Sequence, residues 1–314
     1  MQRVLDPAQI EAFAQRTIPR IRLPDPGSLF SSRAARLRKL SEGHPIADYL
    51  RLMAAVAEAQ QEALETFPES LATCFGCSQH EERLQQARQH GMPPLHAAAW
   101  PRDSHWQVML RGLCATIAAM PGFPDAVAAT CERIRQLPAE MLDRQADLLL
   151  GAATSDVDAQ AAPFIMAALQ VYWTRLVCSL SLDAVSEHVG SVDVPGVCPA
   201  CGTLPVASVV RAEKAYQGYR YLHCSLCATE WHLVRVKCSH CESTEGIHYH
   251  SIEGGSSAIR AEACDRCKTY RKICYQEQDM AVEPVADDLG SLALDLLMSE
   301  AGFHRTSGNP LLWQ

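Results

Sequence analysis

Cys198-Pro199-Ala200-Cys201, Cys224-Ser225-Leu226-Cys227, Cys238-Ser239-His240-Cys241 and Cys264-Asp265-Arg266-Cys267 decide the reading of this 314-residue chain. Every cysteine of the first two pairs recurs 40 positions later: 198 at 238, 201 at 241, 224 at 264 and 227 at 267. A common offset at four positions marks one module used twice in tandem. Two residues between cysteines let a tight knuckle aim both sulfurs at one point, and a second knuckle arriving on a hairpin completes a tetrahedron of thiolates. Such a sulfur set selects zinc or iron and rejects calcium and magnesium. The period favours ligand sets drawn within each repeat, Cys198, Cys201, Cys224 and Cys227 in one and Cys238, Cys241, Cys264 and Cys267 in the other, over a cross-braced arrangement. Disulfides are the competing reading, but a cytosolic chain with this pattern more often binds metal.

Outward from the knuckles, the texture changes near Gly190. Before it the chain reads as helix after helix. Asp6-Pro7 offers a cap followed by proline at the first helical position, and further helices are expected over 28–40, 45–67, 78–90, 103–120, 125–137, 138–150 and 159–180. The last of these is the most apolar and belongs at the centre of a core. After a linker containing Pro195-Gly196, short runs rich in β-branched and aromatic residues alternate between the knuckles. Strands are expected over 206–211, 218–223, 231–237, 247–252, 257–263 and 270–275. These ribbons are too small to hold a core unaided, so bound metal supplies much of their folding free energy. Asp287-Asp288 offers a cap for a final helix that runs through Leu292, Leu296 and Met298.

Composition narrows the function classes. The formal net charge is −8, which disfavours wholesale nucleic-acid binding through a basic surface. The start, Met1-Gln2-Arg3-Val4-Leu5, lacks the apolar core of a signal peptide. Phe164 to Leu182 is the most membrane-like stretch, yet Gln170, Thr174 and Arg175 in its middle suit a buried helix better than a span. A soluble, cytoplasmic protein with no membrane span is the expectation. No nucleophile elbow, phosphate loop or carboxylate pair stands out, and a saturated four-sulfur site has no open position for catalysis. The chain is therefore not expected to be an enzyme.

With the knuckles and tail in place, the chain resembles the FdhE family of formate dehydrogenase accessory proteins. Cys198-Pro199-Ala200-Cys201-Gly202, Cys224 to Trp231, the two later knuckles, the tail Asp288 to Met298, Gly302-Phe303 and Asn309-Pro310 carry the resemblance. It implies a non-enzymatic, rubredoxin-like, iron-binding chaperone that acts in the cytoplasm on the catalytic subunit of respiratory formate dehydrogenase. The eight knuckle cysteines carry over as metal ligands. The implied fold is multi-domain α+β: an all-α domain over 1–190, two rubredoxin-like or zinc-ribbon modules over 191–235 and 236–280, and a C-terminal helix and tail over 281–314. Gly202 gives the first knuckle its rubredoxin form, while Ala228, Glu242 and Lys268 stand in the equivalent place of the others, so zinc remains an alternative to iron at either site. Two other functions compete. A zinc-ribbon nucleic-acid binder would draw a basic face from Arg211, Lys214, Arg220, Arg235, Lys237, Lys268, Arg271 and Lys272. A small electron-transfer component would need reversible iron.

Several residues have a bland reading. Cys74-Phe75-Gly76-Cys77 is a fifth knuckle-like pair without a partner, read as a helix-terminal turn. Cys114, Cys131 and Cys178 are read as core, and Cys274 as a minor alternative ligand. His223, His232, His240, His248 and His250 are expected on exposed strands, Trp231 and Tyr270 over the metal sites, and the Arg33 to Lys39 run on a solvated helix face.

Overall fold

The computed structural model describes residues 19–67, 78–151, 155–180, 196–214 and 216–312. The expected helix at Asp6-Pro7 and the Cys74/Cys77 pair lie outside the described residues. A short strand β1 (Ile21–Arg22) leads into α1 (Leu29–Ser41), α2 (Ala47–Glu65), α3 (Ser78–Gln89), α4 (His105–Ala119), α5 (Asp125–Gln136), α6 (Ala139–Leu150) and α7 (Ala162–Ser179). Pro124 and Pro138, both with extended ψ, stand at the N-caps of α5 and α6, so the proline between these helices starts the second as it ends the first. Helix α7 is the hub. Every residue from Ala162 to Thr174 is buried, and α2, α4 and α6 pack around it. That all-round burial explains its high apolar content without a membrane. No described helix is long and apolar enough to cross one.

The cysteine-rich half forms strands β2 (Pro205–Val210), β3 (Arg220–Cys224), β4 (Glu230–His232), β5 (Ile247–His250), β6 (Ile259–Cys264) and β7 (Thr269–Tyr275). Helices α8 (Pro284–Leu289) and α9 (Leu292–Glu300) and strand β8 (His304–Arg305) follow. The duplication seen in sequence is also a duplication of register. Leu222 faces Trp231 across β3 and β4, and Glu262 faces Arg271 across β6 and β7. The ribbons do not stand apart, however. β2 pairs parallel with β7, Val209 opposite Cys274, and one sheet runs β1-β4-β3-β2-β7-β6-β5 with β8 beside β7. Each repeat thereby shields an edge of the other.

Three local expectations are corrected. The strand leaving the second knuckle stops at His232 and not at Lys237. Helix α8 is capped by Glu283, whose carboxylate accepts the Ala286 amide at 2.7 Å, so Asp287 and Asp288 lie inside the helix and are buried. The arginine run on α1 is not a solvated face throughout. Arg33 donates to Glu283 at 3.0–3.1 Å, and Arg36 pairs with Asp287 at 2.6 Å and Asp279 at 2.7 Å. Arg33 and Arg36 are sealed between α1 and the tail, while Arg38 and Lys39 remain exposed. Charge pairing thus fastens the tail to the helical half, which a run of like charges on one helix does not disclose.

Candidate metal centres

The two tetracysteine sets are assembled as separate clusters, one per repeat. In each, the four sulfurs lie within 4.8 Å of one another. Cys198 Sγ sits 3.6 Å from Cys227 Sγ, and Cys201 Sγ 3.4 Å from Cys224 Sγ. The second cluster repeats the pattern, with Cys238 to Cys267 at 3.8 Å and Cys241 to Cys264 at 3.7 Å. A tetrahedral ion with metal–sulfur bonds of about 2.3 Å has sulfur–sulfur edges of about 3.8 Å, so both sets fit. None of the eight is in a disulfide, and the sulfur separations far exceed the ~2.05 Å of one. The sets are the within-repeat ones; Cys274, buried in β7, belongs to neither.

The knuckles share one backbone device. The residue after each second cysteine has positive φ: Gly202 at 76°, Ala228 at 56°, Glu242 at 61° and Lys268 at 54°. At this position the Gly202, Glu242 and Lys268 amides donate to the carbonyls of Cys198, Cys238 and Cys264 at 2.8–3.1 Å. Three of the four thus hold the left-handed turn without glycine, at a conformational cost of about 1 kcal/mol each. Only position 202 excludes a side chain by packing, because a Cβ there would meet His96 at 3.0 Å and Pro93 at 3.3 Å.

A hydroxyl follows each turn, a feature missed in the sequence although it obeys the same period: Thr203, Thr229, Ser243 and Thr269. Thr203 Oγ1 lies 3.1 Å from Cys201 Sγ and 3.0 Å from Cys224 Sγ. Thr229 lies 3.2 Å from Cys227 and Thr269 3.0 Å from Cys267. Ser243 instead donates to the Glu245 carbonyl at 3.2 Å. The Leu226 and Cys227 amides also point at Cys224 Sγ, both at 3.3 Å. These amide donors stabilise thiolate charge around a bound ion.

The first cluster is sunk in the main hydrophobic core. Trp173 of α7 donates to the Leu95 carbonyl at 3.0 Å, and the Leu95 amide donates to Ala200 inside the knuckle at 2.9 Å. Gln170 reaches the Ser225 carbonyl of the facing knuckle at 2.7 Å. Burial pushes the Cys198 and Cys227 thiols well up, while hydrogen bonds from the neighbouring thiols and Thr203 outweigh burial and hold Cys224 well down. Ionising all four sulfurs in this environment would require a bound cation to offset their charge.

Surrounding residues depart from several expectations. His223 is buried with Nδ1 3.0 Å from Glu230, and His232 is partly buried, its pKa lowered to about 4 by burial and by Arg20 and Arg220; His240 and His248 are exposed. Trp231 is buried in β4, and Tyr270 donates to Asp295 at 2.7 Å. The basic face is largely dismantled: Arg220, Arg271 and Lys272 are buried, and Arg211 pairs with Glu230. That removes the main support for a nucleic-acid surface.

Family models described as FdhE N-terminal, FdhE central domain and FdhE C-terminal domain match residues 18–189, 197–235 and 236–312. A protein FdhE homolog of Cronobacter sakazakii is 42% identical over 99% of this chain and 97% of its own length. A protein FdhE of Salmonella paratyphi A is 39% identical over the same shares. The crystal structure of the FdhE protein from Pseudomonas aeruginosa is similar with a TM-score of 0.81 at 38% identity, covering 94% of this chain and 99% of that one.

Proposed function

The chain belongs to the FdhE family, and from that premise we propose that it is a formate dehydrogenase maturation protein that binds the catalytic subunit in the cytoplasm and catalyses no reaction itself. Cys198, Cys201, Cys224 and Cys227 hold one metal ion, and Cys238, Cys241, Cys264 and Cys267 hold a second. Iron is favoured by the family resemblance and zinc by the ordinary preference of closed four-sulfur sites. The functional division is a helical domain over 1–190, metal modules over 191–235 and 236–280, and a tail over 281–314.

The observation that carries this reading is the pair of complete sulfur tetrahedra in a chain whose relatives share its full length. The ions supply charge neutralisation and cross-linking. The chain's own residues aim the sulfurs and set the hydroxyls of Thr203, Thr229 and Thr269 within 3.0–3.2 Å of them. Closed coordination leaves client recognition to the protein surface.

Co-purification tests the proposal. Tagged full-length protein should retain the catalytic subunit of formate dehydrogenase from cells making it, and cells lacking the protein should contain that subunit in inactive form. A fully active enzyme in such cells removes the maturation role.

A further inference from the structure

The two clusters are alike in geometry and opposite in setting. Cys198, Cys201, Cys224 and Cys227 are at most 1% exposed, whereas Cys241 and Cys267 are only partly buried. Around the second pair stand exposed His240, Glu242, Asp265 and Lys268. The first cluster has hydroxyls of Thr203 and Thr229 at three of its sulfurs; the second has Thr269 alone, because Ser243 turns to a carbonyl. Reaching the first cluster requires opening the core that α7 organises. Reaching the Cys241–Cys267 edge requires no opening.

We propose that the second cluster is a metal-exchange site, yielding its ion to an incoming thiolate along the Cys241–Cys267 edge, while the first cluster is a permanent structural site. This rests on the ligand assignment above and not on the identity of the client. In the exchange, an incoming thiol forms a metal–sulfur bond and the bond to Cys267 Sγ breaks. The proton released by the thiol passes to the departing Cys267 sulfur, and the oxidation state of the metal is unchanged. A second thiol displaces Cys241 in the same way, its proton passing to the Cys241 sulfur, and two further exchanges at Cys238 and Cys264, the two more deeply buried sulfurs, free the ion. Access, and not sulfur geometry, sets which cluster reacts, as it does for thiol exchange generally.

The test uses the full-length chain loaded with two zinc ions and challenged with glutathione, with a zinc-sensitive dye reporting release. One equivalent should leave at a rate that rises with thiol concentration, and the other at least about tenfold more slowly, a gap of about 1.4 kcal/mol in barrier. Timed alkylation read by mass spectrometry should label Cys241 and Cys267 first and the first cluster last. Cys267→Ser should abolish the fast equivalent and leave the slow one unchanged. Two ions leaving together, labelling that begins at Cys198 or Cys201, or a fast phase indifferent to thiol would overturn the proposal. A chain that takes up fewer than two ions removes the ligand assignment and the exchange with it, so the two failures are distinguishable.

Discussion

Arg220 of β3 and Glu262 of β6 form an ion pair of 2.6 Å, with their side chains 0% and 3% exposed, and this pair ties one metal-bearing repeat to the other. Arg220 also donates to the Lys237 carbonyl at 3.1 Å, at the start of the second repeat, and to Ser208 at 3.0 Å. Tyr249 donates to the second Glu262 oxygen at 3.1 Å. The repeats therefore share a sheet and a buried charge pair, so their relative placement is fixed by both.

Glu262→Ala leaves the Arg220 guanidinium buried without its counter-charge. The expected loss is roughly 3–5 kcal/mol in urea unfolding. Arg220→Met with Glu262→Leu removes both charges and should recover most of it. Equal losses in the single and double variants would show that packing, not the unpaired charge, carries the effect.

Asp287→Ala should release the tail from α1. Among the described residues Arg36 then keeps Asp279, whose side chain is 37% exposed, and the loss expected from breaking the buried pair is about 3 kcal/mol. Limited proteolysis should cut near Asp279 faster than in the parent chain; an unchanged digestion pattern argues that the Arg36–Asp287 pair is not what holds α8 against α1.

Position 242 tests the left-handed turns. Glu242 has φ 61°, is exposed, and pairs with partly buried Lys237 at 2.8 Å. Glu242→Gly should raise stability by about 0.5–1 kcal/mol, and Glu242→Val, β-branched and poorly suited to that turn, should lower it by about 1–2 kcal/mol. Thermal melts of the metal-loaded protein read both, and a stabilising valine would contradict the turn assignment.

The acid limit of stability should involve His232. Burial lowers its pKa to about 4, against an ordinary value of about 6.5. Between those values the unfolded chain holds more protons than the folded one, so stability declines as pH falls through this window and the loss is complete below about pH 4. His232→Gln stays neutral throughout. The difference between parent and variant midpoints should therefore shift against the parent from pH 6.5 toward 4, and a pH-independent difference would remove this assignment.

Local signals made much of this molecule legible. Proline divided α5 from α6, apolar content located α7, and the 40-residue cysteine period gave both sulfur sets. What stayed hidden depends on distant partners. The β2–β7 pairing joins residues about as far apart as Val209 and Cys274, and neither strand announces which neighbour it takes. Arg33 and Arg36 read as solvated because their partners, Glu283 and Asp287, lie some 250 positions away. The knuckle turns misled in another way: glycine is the usual sign of positive φ, yet Ala228, Glu242 and Lys268 adopt it because the sulfur cluster and the flanking hairpin over-determine the turn.

The most direct test of the two-site account is the metal content and visible spectrum of the full-length protein purified without oxygen. The account predicts two thiolate-bound ions per chain, either ferric with bands that bleach on reduction or colourless zinc, and one ion per chain in Cys267→Ser. A stable, folded chain with no tightly bound metal and eight freely titrating knuckle thiols would contradict it.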